Sequence, residues 1–85
     1  MKYIVCVVRD TAAEVYGQPM FLASRGQAIR SFTDEVNRVE PNNTLNKHPA
    51  DFILFTLGGF DDGTGVFDCG EPVQLMRGID AIRSE

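Results

Sequence analysis

Residues 51 to 60 read Asp-Phe-Ile-Leu-Phe-Thr-Leu-Gly-Gly-Phe and are apolar on both alternating registers, as is the run from Tyr3 to Val8. A strand with one wet side alternates apolar and polar residues, whereas a strand covered on both sides reads as a near-continuous apolar run. Only one segment of the chain has the pattern of a substantial helix, and one helix shields one side of a sheet. The second sheet face therefore needs another cover, and a homodimer meets that need most simply, through that face or through a sheet edge, because self-association adds a layer to a core too small to be secure alone.

The 85 residues suffice for a single domain spanning 1–85. Aliphatic, aromatic and cysteine residues make up 44% of the chain and charged residues 24%, a globular balance too apolar for a disordered tail. Eight basic against twelve acidic residues leave a net charge of −4, so a phosphate backbone is repelled on average and any nucleic-acid contact has to be local. The acidity is concentrated after residue 60, whereas residues 25 to 48 are slightly basic. No apolar run approaches the ~20 residues needed to span a bilayer, and the run after Lys2 meets Arg9 and Asp10 without a cleavage pattern, which points to a cytosolic protein with no membrane partner. Cys6 and Cys69 are expected as buried, reduced thiols in that compartment.

The expected fold class is α+β, a single helix packed on an antiparallel-rich sheet of four to five strands. A first strand runs from Lys2 to Arg9, with Tyr3, Val5 and Val7 on one face and Ile4, Cys6 and Val8 on the other. Met20 to Ala23 forms a short return strand. Ser24 and Gln27 have capping-box spacing, so a helix is expected from Arg25 to Val39, with Ala28, Ile29, Phe32, Val36 and Val39 as its apolar stripe and Arg30, Asp34 and Arg38 on a wet face. Glu40-Pro41-Asn42-Asn43 stops it. Thr44 to Ala50 reads as a polar loop, Asp51 to Phe60 as the long strand with a bulge near Gly58-Gly59, and Asp61 to Gly65 as a hairpin turn. Val66 to Asp68 and Glu71 to Met76 are then two short strands. Arg77 onward, residues 77–85, is a loose tail or one helical turn.

Candidate chemistry is sparse. His48 is the only histidine and lacks neighbours at metal-ligand spacing, and Asp61-Asp62-Gly63-Thr64-Gly65 lacks the alternating oxygen donors of a calcium loop. Nothing supplies a positioned nucleophile, base and oxyanion donor together, so neither an enzyme nor a metal or organic cofactor is expected. Two features remain. Arg25, Arg30 and Arg38, with Lys47 beyond them, form a basic stripe suited to a nucleic-acid backbone, interrupted by Asp34, Glu35 and Glu40. Tyr3, Phe52, Phe55 and Phe60 have the character of a sheet platform on which unpaired bases stack.

The run His48-Pro49-Ala50-Asp51-Phe52-Ile53-Leu54-Phe55-Thr56-Leu57-Gly58, with Phe60-Asp61-Asp62 and Thr64-Gly65 after it, resembles the small nonstructural protein of gokushovirus-type microviruses, bacteriophages with single-stranded DNA genomes. Ala28-Ile29-Arg30-Ser31-Phe32, Val36-Asn37, Pro19-Met20-Phe21 and Lys2-Tyr3 fit the same family, so the likeness covers residues 1 to about 72. The resemblance implies a nonstructural, DNA-binding viral protein that acts in single-stranded genome synthesis or packaging, and the expected function is accordingly to bind phage DNA, single-stranded by preference, during genome replication or packaging in the host cytoplasm. It transfers no binding residues, and the stripe of Arg25, Arg30, Arg38 and Lys47 stands on charge alone. The rival expectation is an adaptor that contacts viral or host replication or capsid proteins and touches no DNA, a role the net acidity and the apolar sheet favour.

Overall fold

The two apolar runs become neighbouring strands in the middle of one antiparallel sheet. The computed structural model describes residues 1–83. Strand β1 (Lys2–Asp10) pairs along its whole length with β4 (Phe52–Asp61), which pairs on its other side with β5 (Val66–Arg77). The remaining edge of β1 is shared by two short strands, β2 (Val15–Tyr16) at one end and β3 (Met20–Leu22) at the other. One main helix, α1 (Arg25–Asn37), and short helices complete an α+β fold with a five-stranded sheet, as the sequence leads one to expect.

Helix α1 starts where the capping residues place it. Ser24 Oγ accepts from the Gln27 amide at 3.1 Å, while Gln27 Oε1 accepts from the Ala23 amide at 2.7 Å. Ala28, Phe32 and Val36 then lie on one side and pack with Cys6, Phe52, Leu54 and Ala81 as the main core. The helix ends at Asn37, short of the expected Val39, which is 84% exposed. The reason is a set of three asparagines. Asn43 Nδ2 donates to the carbonyls of Glu35 and Arg38, Asn46 Nδ2 donates to that of Val36, and Asn37 Nδ2 bridges the carbonyls of Thr33 and Ala81. These side chains satisfy last-turn carbonyls that would otherwise need further helix.

The segment expected as a polar loop is more ordered than its composition suggests: Thr44–Lys47 forms a helical turn, α2, and Pro49–Asp51 a 3-10 turn. The two short strands expected after the hairpin are one strand, β5, because shifts in register at Leu54/Phe55 and Thr56/Gly58 absorb its surplus residues as bends. Of the expected terminal tail, Gly78–Ala81 forms a helical turn, α3, whose Ala81 is buried against the core; residues 84 and 85 lie outside the described residues. Gly78 sits where a Cβ would collide with the Pro49 carbonyl oxygen, so the turn docks by close backbone approach.

The face away from α1 departs most from expectation. Phe21 of β3 and Phe67 of β5 have ring centroids 6.1 Å apart although β1 and β4 lie between their strands. In a flat sheet three strand spacings would separate them by about 14 Å. The sheet is therefore curled into a half-barrel with this face concave, and its own side chains bury Val5 and Val7 to 2% exposure. The need for an outside cover is met in part by curvature. The C-terminal turn does not contribute, since it packs on the helix side.

The curl is permitted at Gly58, where Leu57 is the extra residue of a bulge opposite Val5 and Cys6. Gly58 has φ +134°, and a Cβ there would collide with the Asp68 carbonyl oxygen and lie 2.8 Å from Cys69 Cα. Gly58→Ala should lower stability by more than about 2 kcal/mol, through strain and loss of β5 register. Asn43→Ala removes a side chain 4% exposed and its two helix-end bonds, and should cost about 1–3 kcal/mol. Urea midpoints measure both, and an unchanged midpoint in either variant contradicts the role given to that residue.

Candidate functional site

Residues directly opposite in an antiparallel pair point to the same face, so the registers fix what the concave side presents. Its first row is Tyr16, Arg9, Ile53 and Arg77, and its second is Val7, Phe55 and Gln74. The third is Phe21, Val5, Gly58 and Cys69, and the fourth Tyr3, Phe60 and Phe67. None of these strand positions is Asp or Glu, although the chain as a whole is acidic.

The face has two ends of different chemistry. At one end Phe21, Phe60 and Phe67 form a cluster, with centroids 5.6 Å apart for Phe21–Phe60 and 4.6 Å for Phe60–Phe67. At the other, Tyr16 meets Phe55 edge-to-face at 5.7 Å, and the Arg9 guanidinium carbon lies 5.0 Å from the Tyr16 ring centroid. Tyr16, Phe21 and Phe67 are 43%, 48% and 57% exposed, so rings that roof the inner valines also turn surface to solvent. Arg9 has no ion-pair partner among the described residues. Arg77 does: its Nε donates to Asp80 Oδ2 at 2.9 Å, and this contact raises its pKa.

Of the four aromatics expected on a platform, Tyr3, Phe55 and Phe60 lie on this face. Phe52 does not. It belongs to the buried core beneath α1, because it alternates with Ile53 and faces the helix. Tyr16, Phe21, Phe67 and Arg9 complete the face, although the sequence pattern does not mark them as part of it. The Phe60–Phe67 pair was accessible, since the Asp61–Gly65 turn sets these residues opposite each other; Tyr16 depended on a strand of only two residues.

The basic stripe lies on the other layer. Arg25, the first residue of α1, is exposed and with Lys2 lines an open cleft of about 650 Å³ that Asp68 and Glu71 also line. Arg30 is exposed beside a hollow lined by Ser24, Gly26 and Gln27. Neither arginine has an ion-pair partner among the described residues. Arg38, at the end of α1, is engaged: its Nε donates to Glu35 Oε1 at 2.9 Å, a hydrogen bond that holds the Glu35 carboxyl below its ordinary pKa, and its guanidinium also approaches Glu40. Lys47 is exposed at the end of α2. The structure thus does not bring the four together: Arg25 lines the cleft with residues of β1, β4 and β5, Arg30 lies beside the β3–α1 junction, and Arg38 and Lys47 lie toward the far end of the helix layer.

A family model described as Phage ORF5 protein matches residues 3–81, from Tyr3 in β1 to the end of α3. The chain belongs to this family. It is a bacteriophage protein, and the matched span takes in both ends of the concave face together with α1. No curated protein and no solved structure matches the chain. No helix of this family member, among the described residues, is long and apolar enough to cross a membrane.

The two cysteines differ from expectation and from each other. Both are free thiols, but only Cys6 is buried, whereas Cys69 is exposed. Burial raises the Cys6 pKa, against smaller opposing effects of Thr56 and Arg25, so this thiol is both shielded and protonated at neutral pH. A thiol-specific reagent at pH 8 should label one cysteine per chain, Cys69, with Cys6 reacting only in denaturant. Mass spectrometry of the labelled peptides checks this, and rapid native labelling of Cys6 would contradict the packing described.

Proposed function

We propose that this phage protein is a nonstructural microvirus protein of the gokushovirus type that binds single-stranded DNA in the host cytoplasm during genome replication or packaging. The observation that carries the reading is the concave sheet face, where half-exposed aromatic rings lie beside an unpaired arginine, without a carboxylate in the strand rows, on a chain of net charge −4. Exposed rings offer sequence-tolerant stacking surfaces for unpaired bases, and Arg9 supplies a phosphate contact. Resemblance to the microvirus protein supplies the genome type. The reading assigns no catalytic step and no cofactor.

The helix cations have a place in the same proposal. Ala23 and Ser24 join β3 to α1, so a strand leaving the aromatic cluster over the β3 edge meets Arg30 beside that junction, while Arg25 offers a separate contact in the cleft it lines with β4 and β5 residues. Arg38, already bonded to Glu35, and Lys47, on α2, are assigned weaker backbone contacts farther along.

Phe21→Ala with Phe67→Ala should weaken binding of a labelled single strand by roughly 10- to 100-fold, since each stacked base contributes about 1–3 kcal/mol. Arg25→Glu with Arg30→Glu should weaken binding of all sequences similarly and reduce the salt slope by about 1.4, or 0.7 for each phosphate no longer neutralised. Fluorescence anisotropy measures both. Absence of binding by the unaltered protein at low and at physiological salt would falsify the proposal.

A second reading uses the same rings. Phe21 and Phe67 are also suited to contact with a second copy, giving a homodimer, or with a viral or host replication or capsid protein, and the net acidity favours it. A solution mass of twice the chain, joined to silence in the DNA titration, selects this alternative.

A further inference from the structure

We infer that the concave face recognises the bases of a short unpaired segment rather than the sugar-phosphate backbone; this rests on the single-stranded DNA reading above and specifies its mode. Cationic groups are scarce on the face. The strand rows contain two arginines, and Asp80 holds one of them, Arg77, through paired bonds of 2.9 and 3.2 Å. That leaves Arg9, which itself lies over Tyr16. One free guanidinium cannot track a polyanion, whereas Tyr16, Phe21 and Phe67 each turn a large part of a ring outward.

Length sets the second limit. Along β1 the face runs from Tyr3 to Arg9, six residue steps of about 3.3 Å, or roughly 20 Å. Such a span accommodates about four nucleotides, the low end of the site sizes known for sheet-based single-strand binders. Bases stack at the Phe21–Phe67 end and on Tyr16, and one phosphate reaches Arg9. Gln74, directly across from Phe55, is the one side-chain amide in the rows, with a donor and an acceptor to offer a base edge. A duplex keeps its base faces stacked inside and has nothing to present to these rings.

The distinguishing measurement compares a fluorescein-labelled thymidine tetranucleotide with the same backbone made of abasic units. The normal tetramer should bind with a logarithmic salt slope of about −0.7, the value for one phosphate contact. The abasic tetramer should bind at least tenfold more weakly, and heparin at equal charge should fail to displace the normal one. Phe21→Leu, which keeps an apolar side chain at that position, should weaken binding at least fivefold without changing the salt slope or the circular dichroism. Arg9→Gln should abolish the slope and retain most of the preference for the normal tetramer. Equal binding of the abasic tetramer, with a slope near −2 or ready displacement by heparin, overturns base recognition while leaving DNA binding standing, through the helix cations. If no oligonucleotide of any length binds, the underlying reading falls and the inference with it.

Discussion

The pairing of β1 with β4 is the interaction on which the rest of the structure depends. Nine register positions join the two most apolar segments of the chain, and both sheet faces are built outward from that ribbon. Cys6 and Leu54, each fully buried, anchor the side that receives Ala28, Phe32 and Val36 of the helix. Val5 and Val7 floor the other side. The bulge at Leu57 and the positive φ of Gly58 bend the ribbon, and the bend brings β3 and β5 close enough for their phenylalanines to touch.

That curvature links the fold to the surface proposed to bind DNA. A flat sheet of this composition would leave valines in water and demand a partner layer. The half-barrel instead covers them with aromatic rings drawn from four strands, and those rings keep outward surfaces of their own. The same residues thus serve as roof for the inner valines and as the most chemically suitable surface for a planar ligand. Segregation of charge reinforces the arrangement: carboxylates are excluded from the concave rows, while Asp10, Asp61 and Asp68 alternate to the other side or sit at strand ends. The helix layer carries two cations without an ion-pair partner among the described residues, Arg25 in the cleft it lines with β4 and β5 residues and Arg30 beside the β3–α1 junction, while Arg38 is held by Glu35.

Much of this was legible in the chain. The apolar runs identified β1 and β4 to within a residue, the Ser24–Gln27 spacing fixed the start of α1, and the Asp61–Gly65 turn implied the β4–β5 hairpin. Misses occurred where distant residues decided a local outcome. Helix α1 stops early because Asn43 and Asn46, beyond the apparent Pro41 stop, reach back to its carbonyls. Strand β2 exists because Asp10 Oδ1 accepts from the amides of Ala12 and Ala13 and Glu14 adopts φ +58°, a conformation its residue type does not advertise. Strand β5 is continuous because β4 tolerates its bends, and Cys69 is exposed because β5 forms an edge.

The sequence by itself determined the fold class, the central strand pair, the helix with its buried stripe and the absence of a bilayer-spanning apolar segment, because periodicity and capping act through neighbours in the chain. It also determined that surplus apolar surface had to be covered. Tertiary structure alone decided how: a curled sheet gathers Tyr16, Phe21, Phe55, Phe60 and Phe67 from four strands around Val5 and Val7 and places Arg9 at their margin. Curvature is a property of registers and bulges shared between strands, so no single segment encodes it.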